Sequence, residues 1–392
     1  MRTSKGTYWL LGAILTISVG CSSHSSASSS ATATDRSIGV PLTTSTTTSI
    51  GTWATFPMGH LDDPTNTFWE VFTLASGAQR WAEHTPPDVA DNGGLVIAPT
   101  TAGAVVGFRP SNLLSFSPLA STTDGGATYA AGLLSGGLAD VPDALSVSPS
   151  GHSAALTTTQ VLSSAATLSA WQPVTTVAAM KASPVGQGCG VQQLTAVGTT
   201  EGGLFVGAAC SVPGVVGLFQ QAGSQFVSTG VQLPAADSKA FVDVLRIAPY
   251  KQGIAALLGV RNGSATSYVA AWNSAPGVAT SESTPGDAAW SLSAPQTIAG
   301  ALISTAVASG ASFAVLTKDS SGALAAAVAA GPGSNWTQLA TPPAGTATVS
   351  VAVNRTDALV VDSDTVTDYQ LTDGRWVKAQ TVQVAIPYGS SG

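Results

Sequence analysis

Short runs in which apolar and polar residues alternate, bounded by glycine, asparagine, aspartate or serine, fill the chain from residue 50 onward. The last repeat sets the pattern: Thr348 to Val353, the turn Asn354-Arg355-Thr356, Asp357 to Val361, Val366 to Leu371, the turn Asp373-Gly374, and Arg375 to Val382. Alternation with β-branched enrichment predicts half-buried strands, and four in succession predict an antiparallel meander. Trp81, Tyr129, Trp171, Phe226, Trp290, Trp336 and Trp376 each open such a run just after a turn, at gaps of 48, 42, 55, 64, 46 and 40 residues. That spacing matches a four-stranded propeller blade and no helical repeat. Turns such as Pro99 to Gly103, Pro149-Ser150-Gly151, Gly202-Gly203, Gly253 and Gly310 mark where the first strand of a blade meets its second. Strands are lettered a to d from the axis outward.

The expected fold is all-β, a seven-bladed β-propeller of four-stranded antiparallel blades over residues 50–392; six or eight blades stay open because the longest gap also holds Trp272. Before Trp81 lie Thr52 to Phe56 and Thr67 to Phe72, with no innermost run in view. Past Trp376 the chain runs on through Val382-Gln383-Val384-Ala385-Ile386-Pro387. The expectation is that this C-terminal strand supplies the innermost strand of the first blade and closes the ring, leaving no open sheet edge.

Residues 1–20 carry Arg2 and Lys5, an uncharged run from Thr7 to Val19, and Gly20 before Cys21, which reads as an export signal. Ser18-Val19-Gly20-Cys21 resembles the lipobox of bacterial lipoproteins, with Ser18 where that family has Leu; the resemblance implies a lipidated Cys21, with simple secretion as the alternative. Residues 21–49 are almost wholly Ser, Thr and Ala after the cysteine and read as a disordered tether. Charged residues make up only 9% of the chain, against about 25% in an average soluble protein, which speaks for strands and turns over exposed helices. Loss of Arg2 and Lys5 would take the net charge from −7 to −9, so nucleic acid is not expected as a partner.

Thr122-Thr123-Asp124-Gly125-Gly126-Ala127-Thr128-Tyr129 resembles the Asp-box of sialidase-like (BNR) propellers, Ser-x-Asp-x-Gly-x-Thr-Trp, with Thr122 for Ser and Tyr129 for Trp. Gly333-Ser334-Asn335-Trp336 and Gly223-Ser224-Gln225-Phe226 keep the glycine and ring without the Asp. The resemblance implies a propeller over residues 50–392 and a structural role for Asp124, Gly126 and Tyr129 in a c–d hairpin. Phe108-Arg109-Pro110 resembles a shortened Phe-Arg-Ile-Pro motif of sialidases. No Tyr–Glu nucleophile pair can be placed on one face, so the chain is expected to be a non-catalytic member.

In a propeller the b–c and d–a loops share one face, and the a–b and c–d turns share the other. The densest polar loop, Met58 to Asn66, is a b–c loop, and His60, Asp62, Asp63 and Asn66 with Arg109 form the candidate ligand site. Paired carboxylates beside a histidine suit a divalent cation or a sugar, while turn capping before Pro64 is the plainer reading. The same face should receive His84, Asp88, Asp91, Asn92, Asn112, Arg261, Asp319, Asp362 and Asp364; Asp362-Ser363-Asp364 lacks the further oxygens of a calcium loop. Cys189 and Cys210 flank one hairpin and, in an exported chain, are expected to form a disulfide. Gly-x-Ser-x-Gly, Walker and His-Glu-x-x-His motifs are absent, and no metal or cofactor is expected. The functional expectation is a monomeric binding or scaffold module at the bacterial cell surface, held to the membrane by its lipid alone, with a glycan, cell-wall polymer or protein as ligand. The alternative is an extracytoplasmic carbohydrate-active enzyme, a glycosidase or lyase of sialidase-like fold.

Overall fold

In the computed structural model, residues 43–63, 66–87, 94–108, 119–131, 143–165, 170–275, 290–308 and 310–386 are described. Among the described residues, seven antiparallel meanders follow one another in chain order. The first is β1 (Thr43–Thr48), β2 (Gly51–Gly59), β3 (Thr67–Ala75) and β4 (Ala82–Glu83); the second is β5 (Leu95–Pro99), β6 (Ala104–Phe108), β7 (Leu119–Thr122) and β8 (Ala130–Ala131). The third is β9 (Ala144–Val147), β10 (Ser153–Leu156), β11 (Gln160–Ser164) and β12 (Gln172–Thr176). Two short helices, α1 (Val177–Ala182) and α2 (Pro184–Cys189), lead into the fourth: β13 (Val191–Thr200), β14 (Gly203–Cys210), β15 (Leu218–Ala222) and β16 (Gln225–Ser228). The fifth is β17 (Phe241–Tyr250), β18 (Gly253–Asn262), β19 (Ala265–Asn273) and a split outer strand, β20 (Ser291–Leu292) and β21 (Gln296–Thr297). The sixth is β22 (Ala301–Ala308), β23 (Ser312–Lys318), β24 (Leu324–Ala329) and β25 (Trp336–Gln338); the seventh is β26 (Thr346–Ala352), β27 (Arg355–Asp362), β28 (Thr365–Thr372) and β29 (Arg375–Gln383). The architecture is a β-propeller.

Each of the seven repeated aromatics lies within one residue of the start of the outermost strand of its meander. The ring then reaches back to the preceding blade. Tyr129 Oη donates to the His84 carbonyl at 2.7 Å, Trp290 Nε1 to the Thr229 carbonyl at 2.9 Å, Trp336 Nε1 to Ser293 Oγ at 2.9 Å and Trp376 Nε1 to the Ala340 carbonyl at 2.9 Å. Trp171 packs on Val105 and Leu119 of the blade before it, and Phe226 lies against a cluster shared by the third and fourth blades. An aromatic body between sheets explains why these positions carry large rings, and the satisfied polar tip favours Trp and Tyr over the Phe found only at 226. Trp81 completes the ring, since its Nε1 donates to Asp357 Oδ2 of the last blade at 3.3 Å.

Closure departs from the expectation drawn from the sequence. The innermost strand of the first blade is β1, inside the segment that composition reads as tether, and not the C-terminal run. The C-terminal run begins as the end of β29, the outermost strand of the last blade, and Val384 and Ile386 beyond it pack in a cluster that joins the last blade to the first. The physical reason lies in the hydroxyls of β1. Ser45 Oγ donates to the Val349 carbonyl at 3.3 Å and Thr47 Oγ1 to the Val351 carbonyl at 2.7 Å, so they satisfy the axis-facing edge of β26. On its own axial edge β1 pairs in parallel with β22, Thr43 opposite Ser304 and Thr46 opposite Val307. A Ser/Thr strand thus knits the inner edges of the first, sixth and seventh blades.

Behind this seam sits a buried charge cluster. Arg355 bonds Asp357 at 2.7 Å and Asp368 at 3.0 Å, while Gln380 exchanges two 2.8 Å bonds with the backbone of Trp81. Burial, and then the charge of Asp357, pushes the Asp368 carboxyl up to about 7. Cys189 and Cys210 are joined in a disulfide with Cα atoms 5.2 Å apart, and Gly217 lies against it: a Cβ there would meet Cys210 Sγ at 2.6 Å.

Candidate functional site

The inner strands converge on an axial cavity of about 250 Å³ at their C-terminal ends, which is the face of the a–b turns. Its walls come from five blades: Thr46 to Thr48 of β1, Ile97 to Pro99 of β5, Leu145 to Val147 of β9, Arg246 to Pro249 of β17, and Val307 and Ala308 of β22. Neither β26 nor β13 reaches it, because the β1–β22 ladder covers the first of these. Most of the wall is small or apolar. Among the described residues Arg246 supplies the one charge in the lining.

The local backbone explains how an arginine comes to point there. Between Val244 and Arg246 the β17–β18 register shifts by a bulge, and Thr195 Oγ1 of the neighbouring blade donates to the Val244 carbonyl at 2.6 Å. A bulge re-aims the residues beside it. Bulges recur at matching places in β13, β22 and β26, where the residue after the shift is Ala196, Ser304 and Thr348. Arg246 is the exception at a position otherwise kept small. Its guanidinium donates from Nη1 to Thr305 Oγ1 at 3.3 Å and from Nη2 to Thr46 Oγ1 at 3.1 Å. Burial pushes it down to about 10, so it stays charged at neutral pH. Among the described residues it forms no salt bridge, unlike Arg261, which bonds Asp243, and Arg355.

The loop-rich face is built differently. His60 and Asp62 are exposed, while Asp63 accepts from Asn66 Nδ2 at 2.8 Å and the Thr67 hydroxyl reaches both the His60 and Asp63 carbonyls. Gly59 N donates to the Ser363 carbonyl, which ties this loop to that of the last blade. Asp63 and Asn66 therefore close their own loop. Arg109, Asp88, Asp91, Asn92 and Asn112 lie outside the described residues, as does Cys21. His84 Nδ1 is 2.6 Å from Thr73 Oγ1, Asp319 accepts from the backbone of Ser321 and Ala323, and Asp364 accepts from Thr365 and Gln383. Among the described residues no group of three or more His, Cys, Asp or Glu side chains is placed to hold a metal.

Asp124 organises its c–d turn. It accepts from Thr128 N at 3.0 Å, Thr128 Oγ1 at 2.6 Å and Thr122 Oγ1 at 2.8 Å, and the Thr128 bonds chiefly hold its carboxyl down to about 2. Gly126 has φ +100° and packs on His84, where a Cβ would stand 2.7 Å from the His84 Cβ. Sequence reasoning reached this turn but passed over Arg246. The signal was a lone cation inside Val242-Asp243-Val244-Leu245-Arg246-Ile247-Ala248, an apolar inner strand of a chain poor in charge.

No family model matches the chain, and no curated protein matches it. Among solved structures it is similar in architecture to an Aleuria aurantia lectin in complex with Fucα1-6GlcNAc, at 10% identity and a TM-score of 0.43, covering 78% of this chain and 96% of the lectin. YCF48 from Cyanidioschyzon merolae matches at 12% identity, with 84% and 95% of the two chains covered and a TM-score of 0.46. A 6-phosphogluconolactonase-like protein from Bacteroides fragilis matches at 10% identity, with 85% and 96% covered and a TM-score of 0.48.

Proposed function

We propose that this chain is an exported β-propeller, anchored to the bacterial surface by a lipid on Cys21, that binds a ligand at its axis without transforming it. The axial cavity carries this reading: a concave site walled by rigid strand ends with a few convergent polar groups is how small ligands are held. Glycans and cell-wall fragments are the ligand class to test first. β1 begins on the loop-rich face, and the cavity lies at the other end of the inner strands. The domain acts as a monomer in this reading.

A thermal-shift and glycan-array screen, run beside a hydrolysis assay on the same compounds, tests it. Saturable binding without product formation is expected. Product formation would replace the binding module with a carbohydrate-active enzyme, and absence of binding across the screen would remove the reading. Mass spectrometry of the membrane fraction should find acylated Cys21 at the mature N-terminus, and Cys21→Ser should release the protein.

A further inference from the structure

A guanidinium offers five N–H donors in a rigid fork. Arg246 spends two of them on Thr46 and Thr305, which leaves three without a partner among the described residues. Its acceptors are neutral hydroxyls. Among the described residues no carboxylate lines the cavity, and Glu201, in an a–b turn on that face, accepts a backbone bond from Ser150 N. A half-buried cation with neither counter-charge nor filled donors among the described residues attracts an anionic group to its free N–H bonds. The Thr46 hydroxyl already accepts from Arg246, so its own hydrogen remains available to donate towards the cavity.

Resting on the binding reading above, we infer that the axial cavity takes an anionic group, a carboxylate or a phosphate of a small ligand, held by Arg246 and Thr46. Planar oxyanions suit the forked donor geometry, and charge-assisted bonds are the stronger kind. The volume, about 250 Å³, lies just below the usual range for small-molecule sites, so the cavity admits one acidic sugar or a terminal acidic group and not a long chain in section. The site lies on the face opposite His60 and Asp62.

The test is calorimetric titration of the full-length protein in detergent with glucuronate, inorganic phosphate and glucose. Glucuronate or phosphate should bind and glucose should not, with affinity falling as salt rises; whichever of the two binds identifies the acid. Arg246→Gln should weaken binding at least tenfold. Because that change also cuts the links between β17, β22 and β1, Thr46→Asp is the second variant. It places a carboxylate beside the guanidinium, so it should abolish anion binding while leaving the melting temperature equal or higher. Equal binding of glucose and glucuronate, unchanged in Thr46→Asp, would overturn the anionic assignment and leave the binding reading standing. Loss of glucuronate binding in a His60→Ala/Asp62→Ala/Asp63→Ala variant, with Thr46→Asp unaffected, would move the site to the other face. If neither these probes nor any compound of the wider screen binds, both inferences fall.

Discussion

Thr47→Val separates a tether from a structural strand. Valine has nearly the shape of threonine, so the change removes a hydroxyl and little else. In the structure that hydroxyl donates to the Val351 carbonyl at 2.7 Å and lies 2.9 Å from Thr52 Oγ1. Each lost bond is worth about 0.5–1.5 kcal/mol net. A few tenths return from the better strand propensity of valine, so the expected cost is about 1–2 kcal/mol. A propeller of roughly 340 residues, unfolding with about 2.1 cal/mol/K per residue, should then melt roughly 1.5–3 °C lower. Ser45→Ala, which removes the longer 3.3 Å bond to Val349, should cost less than 1 kcal/mol. Calorimetry supplies the melting temperatures, and hydrogen exchange adds a direct reading: amides of Thr43 to Thr48 should be protected like those of β2. Exchange at free-peptide rates across those residues, with Thr47→Val melting as the wild type does, would refute the assignment of β1 as an inner strand.

Trp81→Ala should cost about 3–5 kcal/mol by opening the seam between the first and last blades, and Trp81→Phe about 1–3, since it keeps the ring but leaves buried Asp357 a donor short; equal effects in urea unfolding would mean that the indole N–H does nothing. Asp368 titrates higher folded, about 7, than its ordinary 3.8, so between those values the native state holds the extra proton. Its contribution is fully present below about 4 and is lost as pH rises through about 7. Asp368→Asn should therefore shrink the fall in unfolding midpoint between pH 4.5 and 7.5, and burial of Asp357, which raises its pKa too, should keep some of it; an unchanged fall would show that the cluster does not titrate this way. Gly217→Ala should cost about 1–3 kcal/mol by overpacking the disulfide, and much less in a Cys189→Ala/Cys210→Ala background where the sulfurs are gone; additive costs in a double-mutant cycle would place the strain elsewhere.

The repeat was legible because it is local: an aromatic after a turn meets its packing partner on the next sheet at a distance set by the blade itself, so Trp81 through Trp376 mark the outer strands by position alone. The same locality made the Cys189–Cys210 pairing and the Asp124 turn readable, since the cysteines flank one hairpin and Asp124 bonds within its own turn. The loop from Met58 to Asn66 showed its polar density in sequence, but the spending of Asp63 on Asn66 is a matter of loop geometry. Three things needed the folded chain. Thr43 to Thr48 has no apolar period, and its hydroxyls become structural only against carbonyls 304 residues away. Ring closure depends on which edges lie together at the axis, where β1 joins β22 in parallel. Arg246 looked like one more charge on a strand until a bulge and the ends of five blades left it in a cavity, with hydroxyls for company and no acid among the described residues to neutralise it. Strand pattern is written in nearest neighbours; the electrostatics of an axis belongs to residues that only tertiary packing brings together.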